Sequence, residues 1–311
     1  MSFDHTLFES PTGAKLALRV LEPADAPRAI IQIHHGLSEH GKRYSSFAEA
    51  LANAGFVVAA ADHRGHGWTE TDHGIAGLFA HKQGWKTVID DTMAVEDHLR
   101  ARFPDLPLIV FGHSMGGVIA MNQALTRQGQ IDGLAVWNSN LALGGNATLM
   151  RLVLGLEGLL KSRSAPSTWL DALTFKTWGK KVKGGKGGAD WLSRIPEEVM
   201  AYEADPRCGQ AATISLWYDL IAMAERGADE TLYRTMPRDL PVHLAAGGQD
   251  PATEKGAAVK TLATRFRLLE FTDISLRFDP EARHETLNDL GREDAIADFI
   301  EWANRVVAPK A

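Results

Sequence analysis

Few folds accommodate the residues Ile109 to Ala120, IVFGHSMGGVIA. An uninterrupted β-prone run, LPLIVFG from Leu106 to Gly112, enters a serine flanked by glycines, and a helical pattern from about Met115 to Arg127 leaves it. Glycines on both sides let the backbone turn tightly enough to push Ser114 into a strained, exposed position at the end of a strand. The bland alternative is an ordinary strand-to-helix turn with a serine N-cap. Direct entry from a strand and the additional Gly117 favour the sharp turn.

The surroundings extend this strand-turn-helix unit into a sheet. RAIIQIHH (Arg28 to His35) and GFVVAAAD (Gly55 to Asp62) are continuous apolar runs with the amphipathic YSSFAEALANA between them. That spacing predicts a right-handed βαβ unit. A helix is expected from about Gly84 to Arg102, and a strand at GLAVWNS (Gly133 to Ser139). Strands that are apolar throughout, without alternation, imply a parallel sheet covered on both faces, hence an α/β fold. From about Leu141 to Pro237 the pattern changes to helices and loops, then strands return at PVHLAAGG (Pro241 to Gly248) and FRLLEFT (Phe266 to Thr272). A helix is expected between them near Glu254 to Thr264, and a closing helix from about Thr286 to Val306. The expected organisation is one α/β core made of residues 1–140 and 238–311, interrupted by a helical insertion at 141–237.

Several function classes fall away on composition. The formal net charge of -6 lacks the basic excess of a nucleic-acid binder. Cys208 is the only cysteine, so no intrachain disulfide forms. The first residues, MSFDHTLFESPTGAKLALRV, carry no basic and apolar leader pattern, and a cytoplasmic enzyme is the expectation. The most apolar helical stretch, Thr148 to Lys161, is shorter than the roughly 20 residues of a membrane span. Peripheral membrane contact through this region is the most it allows.

A serine hydroxyl needs a base, and the base needs an orienting acid. Behind a nucleophile elbow the chain order is serine, acid, histidine. Only His243 and His284 follow Ser114. His243 falls inside an expected strand, whereas His284, in PEARHETLND, falls in a loop before the last helix and is the preferred base. Asp250, reached from a strand through Gly247-Gly248, is the preferred acid, with Asp273 and Asp279 as competitors. Oxyanion donors are expected from the backbone amides of Met115 and of Leu37, in the loop HHGLSEHGKRY.

The segments HHGLSEHGKRYSSFAEALANAGFVVAAADHRGHG, FGHSMGG, GGQDP and ARHETLND, in this order, resemble the monoacylglycerol lipase and lysophospholipase branch of the α/β-hydrolase superfamily, also called serine aminopeptidase-like hydrolases. The resemblance runs from about Thr12 to Trp302. It implies an eight-stranded, mostly parallel sheet with a helical cap. It also implies ester hydrolysis without a cofactor or metal, by Ser114, His284 and Asp250 with oxyanion donors at Leu37 and Met115, on a small-molecule ester with an acyl chain. Two positions depart from the family pattern: Ser38 stands where a second glycine is common, and Trp68 precedes Thr69 after DHRGHG.

Rival readings use the same residues differently. An aminopeptidase would need a carboxylate for the substrate ammonium, and Glu157, Glu197, Glu198, Glu203 or Asp205 could be so placed. Perhydrolysis and short-chain ester hydrolysis would use the same triad, and a ligand receptor would need none of it. The histidines at 34, 35, 40, 63, 66, 73 and 81 form no HExxH pattern and are read as loop-pinning, while His113 is given no catalytic role. The basic GKKVKGGKGGAD (Gly179 to Asp190) is read as a solvated loop, or a flap for anionic headgroups. Leu152, Leu156 and Leu159 share one helical face, either packed or offered to an acyl chain or interface.

Overall fold

The computed structural model describes residues 3–182, 185 and 187–308. Its strands are β1 (His5–Glu9), β2 (Lys15–Leu21), β3 (Ala29–His34), β4 (Phe56–Ala61), β5 (Leu108–His113), β6 (Gly133–Trp137), β7 (Val242–Gly247) and β8 (Ile274–Asp279). They form an eight-stranded sheet in the order β1-β2-β4-β3-β5-β6-β7-β8. The β1–β2 and β2–β4 pairs are antiparallel, and every other pair is parallel. The order reverses at β3, which lies between β4 and β5 with Ile31 opposite both Val58 and Ile109.

Helices cover both faces, which is why the central strands are apolar at successive positions. Helices α1 (Ser45–Asn53), α2 (Gly84–Arg102) and α3 (Met115–Thr126) follow β3, β4 and β5. The segment between β6 and β7 holds α4 (Gly145–Gly158), α5 (Thr168–Leu173), α6 (Phe175–Lys181), α7 (Pro196–Ala204) and α8 (Ile214–Ala228). Helices α9 (Ala257–Leu268) and α10 (Arg292–Val306) complete the chain. One core joins Val95 of α2, Ile119 of α3, Trp217 of α8 and Phe266 of α9 to one face of the sheet. A second joins Phe47 and Leu51 of α1 to Phe299 and Trp302 of α10 on the other. Each of these large side chains contributes about 1.5–3 kcal/mol by leaving water.

Two expectations need correction. FRLLEFT is not a strand: Phe266–Leu268 end α9, and the strand lies later, at Ile274–Asp279. Val259, Leu262, Ala263 and Phe266 are buried at helical spacing while Leu268 is exposed, so the run has a three-to-four-residue period that its apolar centre hides. The last helix begins at Arg292 instead of about Thr286, because Thr286–Asn288 is a short 3-10 turn followed by extended Asp289. The antiparallel hairpin β1–β2 was not anticipated at all. In the basic stretch, α6 takes residues up to Lys181, and Lys183, Gly184 and Lys186 lie outside the described residues.

Candidate active site

Ser114 sits between β5 and α3 with φ 55° and ψ −120°, a conformation that side chains of L-residues rarely adopt. The surroundings hold it there: its amide donates to the Trp137 carbonyl (2.9 Å), and its carbonyl accepts from the Ser139 hydroxyl (2.7 Å). The flanking glycines are required by contact. A Cβ on Gly112 would lie 2.0 Å from the Gly116 carbonyl oxygen, and one on Gly116 would lie 2.0 Å from that of His34. Both obstacles are backbone, so neither can swing aside. Gly116→Ala is therefore expected to lose at least about 1–3 kcal/mol of stability, read from urea unfolding; wild-type stability would mean that β3 and α3 can part freely.

Asp250 follows β7 and is fully buried. Its Oδ2 accepts from His284 Nδ1 (2.9 Å), Thr253 Oγ1 (2.7 Å) and Asn138 Nδ2 (3.2 Å), and its Oδ1 from the Ala252 amide (2.9 Å). Burial alone would push its carboxyl up, but the His284 imidazole and these donors outweigh it and hold the group below the usual range. With Nδ1–H donated to Asp250, Nε2 of His284 carries the lone pair a base needs. The imidazole is wedged between the rings of Trp191 (4.7 Å between centroids) and His113 (4.8 Å). Its backbone is pinned too: His284 N–H donates to the Trp191 carbonyl (3.2 Å), and His113 Nε2 donates to the His284 carbonyl (3.0 Å).

Leu37 lies in the loop after β3, and its N–H has no acceptor among the described residues. Met115 opens α3, and its N–H likewise has no acceptor among the described residues. Leu37, Met115 and Ser114 line one cavity of about 430 Å³. Ser114 and His284 also line a second cavity of about 20 Å³ with Leu37, Glu39 and Tyr202. The competitor acids are elsewhere: Asp273 pairs with Arg305, and Asp279 accepts the Ala282 amide. His243 is a strand histidine as expected, donating to Asp298 (2.9 Å) and accepting from Trp137 Nε1 (2.9 Å).

Sequence reasoning missed the hub beneath this arrangement. Glu39 is buried and accepts from the Gly36 amide (2.6 Å), the Tyr44 hydroxyl (2.8 Å) and Arg43 (2.8 Å). Arg43 also forks onto Glu285, next to His284, through a 2.7 Å bond and a second contact. Desolvation opposes a charge on Glu39, yet the His113 and Arg43 contacts hold its carboxyl well below the usual range. One ion network thus ties the Leu37 loop to the His284 loop. Only the HGLSEHGKR spacing hinted at it; the Glu285 partner is 242 residues away.

None of the five carboxylates considered for an ammonium group lines either cavity. Glu157 is buried under Lys161, Ser167 and Thr168, Glu198 pairs with Arg292, Glu203 accepts the Ala189 amide, and Asp205 pairs with His40. His40, Asp205 and Cys208 are the one group among the described residues close enough to share a metal ion. Asp205 there already accepts from His40 and from the Arg207 amide.

An eight-stranded sheet in this order, with a strained serine after the fifth strand and an acid and a histidine after the seventh and eighth, is an α/β-hydrolase. The family described as serine aminopeptidase S33 matches residues 25–291, and the chain belongs to it. The monoacylglycerol lipase of Mycolicibacterium smegmatis is 26% identical over 304 residues, 95% of each chain. The monoglyceride lipase of Homo sapiens is 33% identical over 256 residues, 79% of this chain and 73% of that one. A carboxyl esterase from Bacillus coagulans, solved in complex with glycerol, superposes with a TM-score of 0.88 at 28% identity, over 99% of this chain and 100% of that one. The chain is a serine ester hydrolase of this class.

Proposed function

We propose that this hydrolase cleaves monoacylglycerol-like esters through Ser114, His284 and Asp250. The observation that carries the reading is the cavity of about 430 Å³ opening on Ser114. Its walls include Leu143, Val153, Leu170, Phe175, Trp217 and Ile221, mostly from the segment between β6 and β7, which acts as a cap over the core. Among the described residues its single carboxylate is Glu254. An apolar cavity of this size suits an acyl chain and gives an ammonium group little to bind.

His284 takes the Ser114 proton as Oγ attacks the ester carbonyl, and the Leu37 and Met115 amides receive the oxyanion. Asp250 keeps the imidazole in the right tautomer and stabilises its positive charge. Protonated His284 then returns the proton to the departing alcohol, leaving an acyl-serine. The cavity of about 20 Å³ beside Ser114 and His284 has room for one water. There a water replaces the alcohol, His284 deprotonates it, and attack on the acyl carbonyl releases the acid and restores the serine.

The cap also favours a lipid surface. No described helix is long and apolar enough to cross a membrane. On α4 and its C-cap, however, Leu152, Leu156 and Leu159 are exposed, the last at 82%, so the face anticipated from their spacing is open rather than packed. Trp169 and Leu173 of α5 are exposed as well. Such a face suits peripheral contact with the lipid phase that holds the substrate.

Initial rates on p-nitrophenyl esters from acetyl to palmitoyl, beside 1-monoacylglycerol and lysophosphatidylcholine, test the reading. Medium or long chains and monoacylglycerol are expected to have the highest kcat/KM. An acetyl optimum would assign the cavity to something other than the acyl chain.

A further inference from the structure

The least expected residue of the oxyanion loop is Ser38. It holds φ +60°, in the left-handed region where glycine is at ease and a side chain is not. A residue kept there needs compensation from its surroundings. For Ser38 the compensation is specific: its hydroxyl donates to the Gln210 carbonyl (2.6 Å), and the residue is 4% exposed. Its own carbonyl accepts from the Gly209 amide (2.9 Å) and from the Tyr202 hydroxyl (3.1 Å). Two residues on, His40 Nε2 pairs with Asp205 Oδ2 (2.9 Å). All these partners come from the end of α7 and the loop leading to α8.

We infer that Ser38 is a positioning residue, whose hydroxyl clasps the oxyanion loop to residues 202–210 of the cap and so holds the neighbouring Leu37 amide in place. The inference rests on the proposed role of Leu37 as an oxyanion donor. The Leu37 peptide is gripped from both sides: Gly36 N–H is tied to Glu39, and the Ser38 carbonyl is tied to Gly209 and Tyr202. The first grip belongs to the core. The second belongs to the cap, so displacement of segment 202–210 moves the donor. A glycine at 38 would adopt the same backbone and keep the carbonyl bonds to Gly209 and Tyr202 but lose the hydroxyl bond to Gln210, which loosens the grip on a residue that glycine also makes more flexible. The serine therefore exchanges local backbone ease for a link between cap and oxyanion hole.

The test compares Ser38→Gly and Ser38→Ala with wild type on p-nitrophenyl decanoate and on 1-monoacylglycerol. Ser38→Gly is expected to lower kcat about tenfold with KM little changed, equally for both leaving groups, because a loosened donor acts on the transition state and not on the alcohol. Inactivation by a fluorophosphonate, which passes through a charged tetrahedral centre, should slow by the same factor. Amide hydrogen exchange across 202–210 should accelerate although the substitution is 172 residues away from Gln210 in sequence. Ser38→Ala keeps the steric demand and loses the hydroxyl, so it should slow turnover likewise and melt below Ser38→Gly. Wild-type kcat in Ser38→Gly, or slower turnover with unchanged exchange at 202–210, would overturn the clasp. A Ser114→Ala variant that still reacts with the fluorophosphonate would instead sink the underlying triad reading, whatever Ser38 does.

Discussion

Ser114→Ala is expected to remove ester hydrolysis almost completely, by about 10⁴-fold or more in kcat, while leaving the fold intact. The fold survives because the structure holds the backbone of Ser114, through Trp137, Ser139 and the close approach of Gly112 to Gly116. Alanine meets the same φ of 55° with the same Cβ. What disappears is the hydroxyl oxygen proposed to attack. Asp250→Asn should come close to the same loss, about 10⁴-fold. Three donors converge on Oδ2 and a fourth on Oδ1, so an amide turned either way sets its NH₂ against another donor. His284 then loses the partner that fixes its tautomer. Substrate turnover, with circular dichroism to establish the fold, checks both variants. Residual activity within tenfold of wild type in Ser114→Ala would move the nucleophile elsewhere.

The second large effect is on stability below neutral pH. His34, His35, His63 and His66 are buried around the start of the loop that carries Leu37, and burial holds each imidazole below its ordinary pKa. For His34 and His66 the value falls from 6.5 to about 4. Hydrogen bonding agrees: His35 Nδ1 donates to the Gly36 carbonyl while its Nε2 accepts from the His63 amide, an arrangement open only to the neutral ring. The nearby carboxylates of Asp62 and Glu39 pull His35 and His66 the other way and lose to desolvation. A depressed histidine pKa means that the unfolded chain binds more protons between about pH 6.5 and 4, so stability rises with pH across that window. Conversely, acidification through it costs about 3 kcal/mol for each of His34 and His66, complete near pH 4. Two such losses approach the 5–15 kcal/mol of a typical domain. Urea unfolding at pH 7.5, 6 and 5 is expected to show a falling free energy at constant m-value. A flat profile would mean that the native protein takes up protons over the same pH range as the unfolded chain, and that burial does not depress these imidazoles.

How much of this was legible beforehand divides along sequence distance. The turn at Ser114 was readable because everything it needs lies within a few residues: an apolar strand, glycines where backbone approaches backbone, and a helix to follow. The expected helix at Gly84 to Arg102 matches α2 for the same reason of local pattern. His284 and Asp250 could be nominated from chain order, and the structure sets them 2.9 Å apart. FRLLEFT failed because a short apolar run fits a strand or a buried helix end equally, and only packing shows which side chains face the core.

The amino-acid sequence by itself determined the alternation of strands and helices, the sharp turn at Ser114 and the short roster of polar residues able to serve it. Only the tertiary structure decided which of those residues meet. Asn138 and Thr253 join Asp250, Arg43 bridges Glu39 to Glu285, and Ser38 reaches Gln210, none of which a local pattern can announce. The physical reason is that backbone conformation is set largely by neighbours along the chain. Satisfying a buried polar group, in contrast, depends on whatever donor or acceptor the folded sheet brings within 3 Å or so, from any distance in sequence.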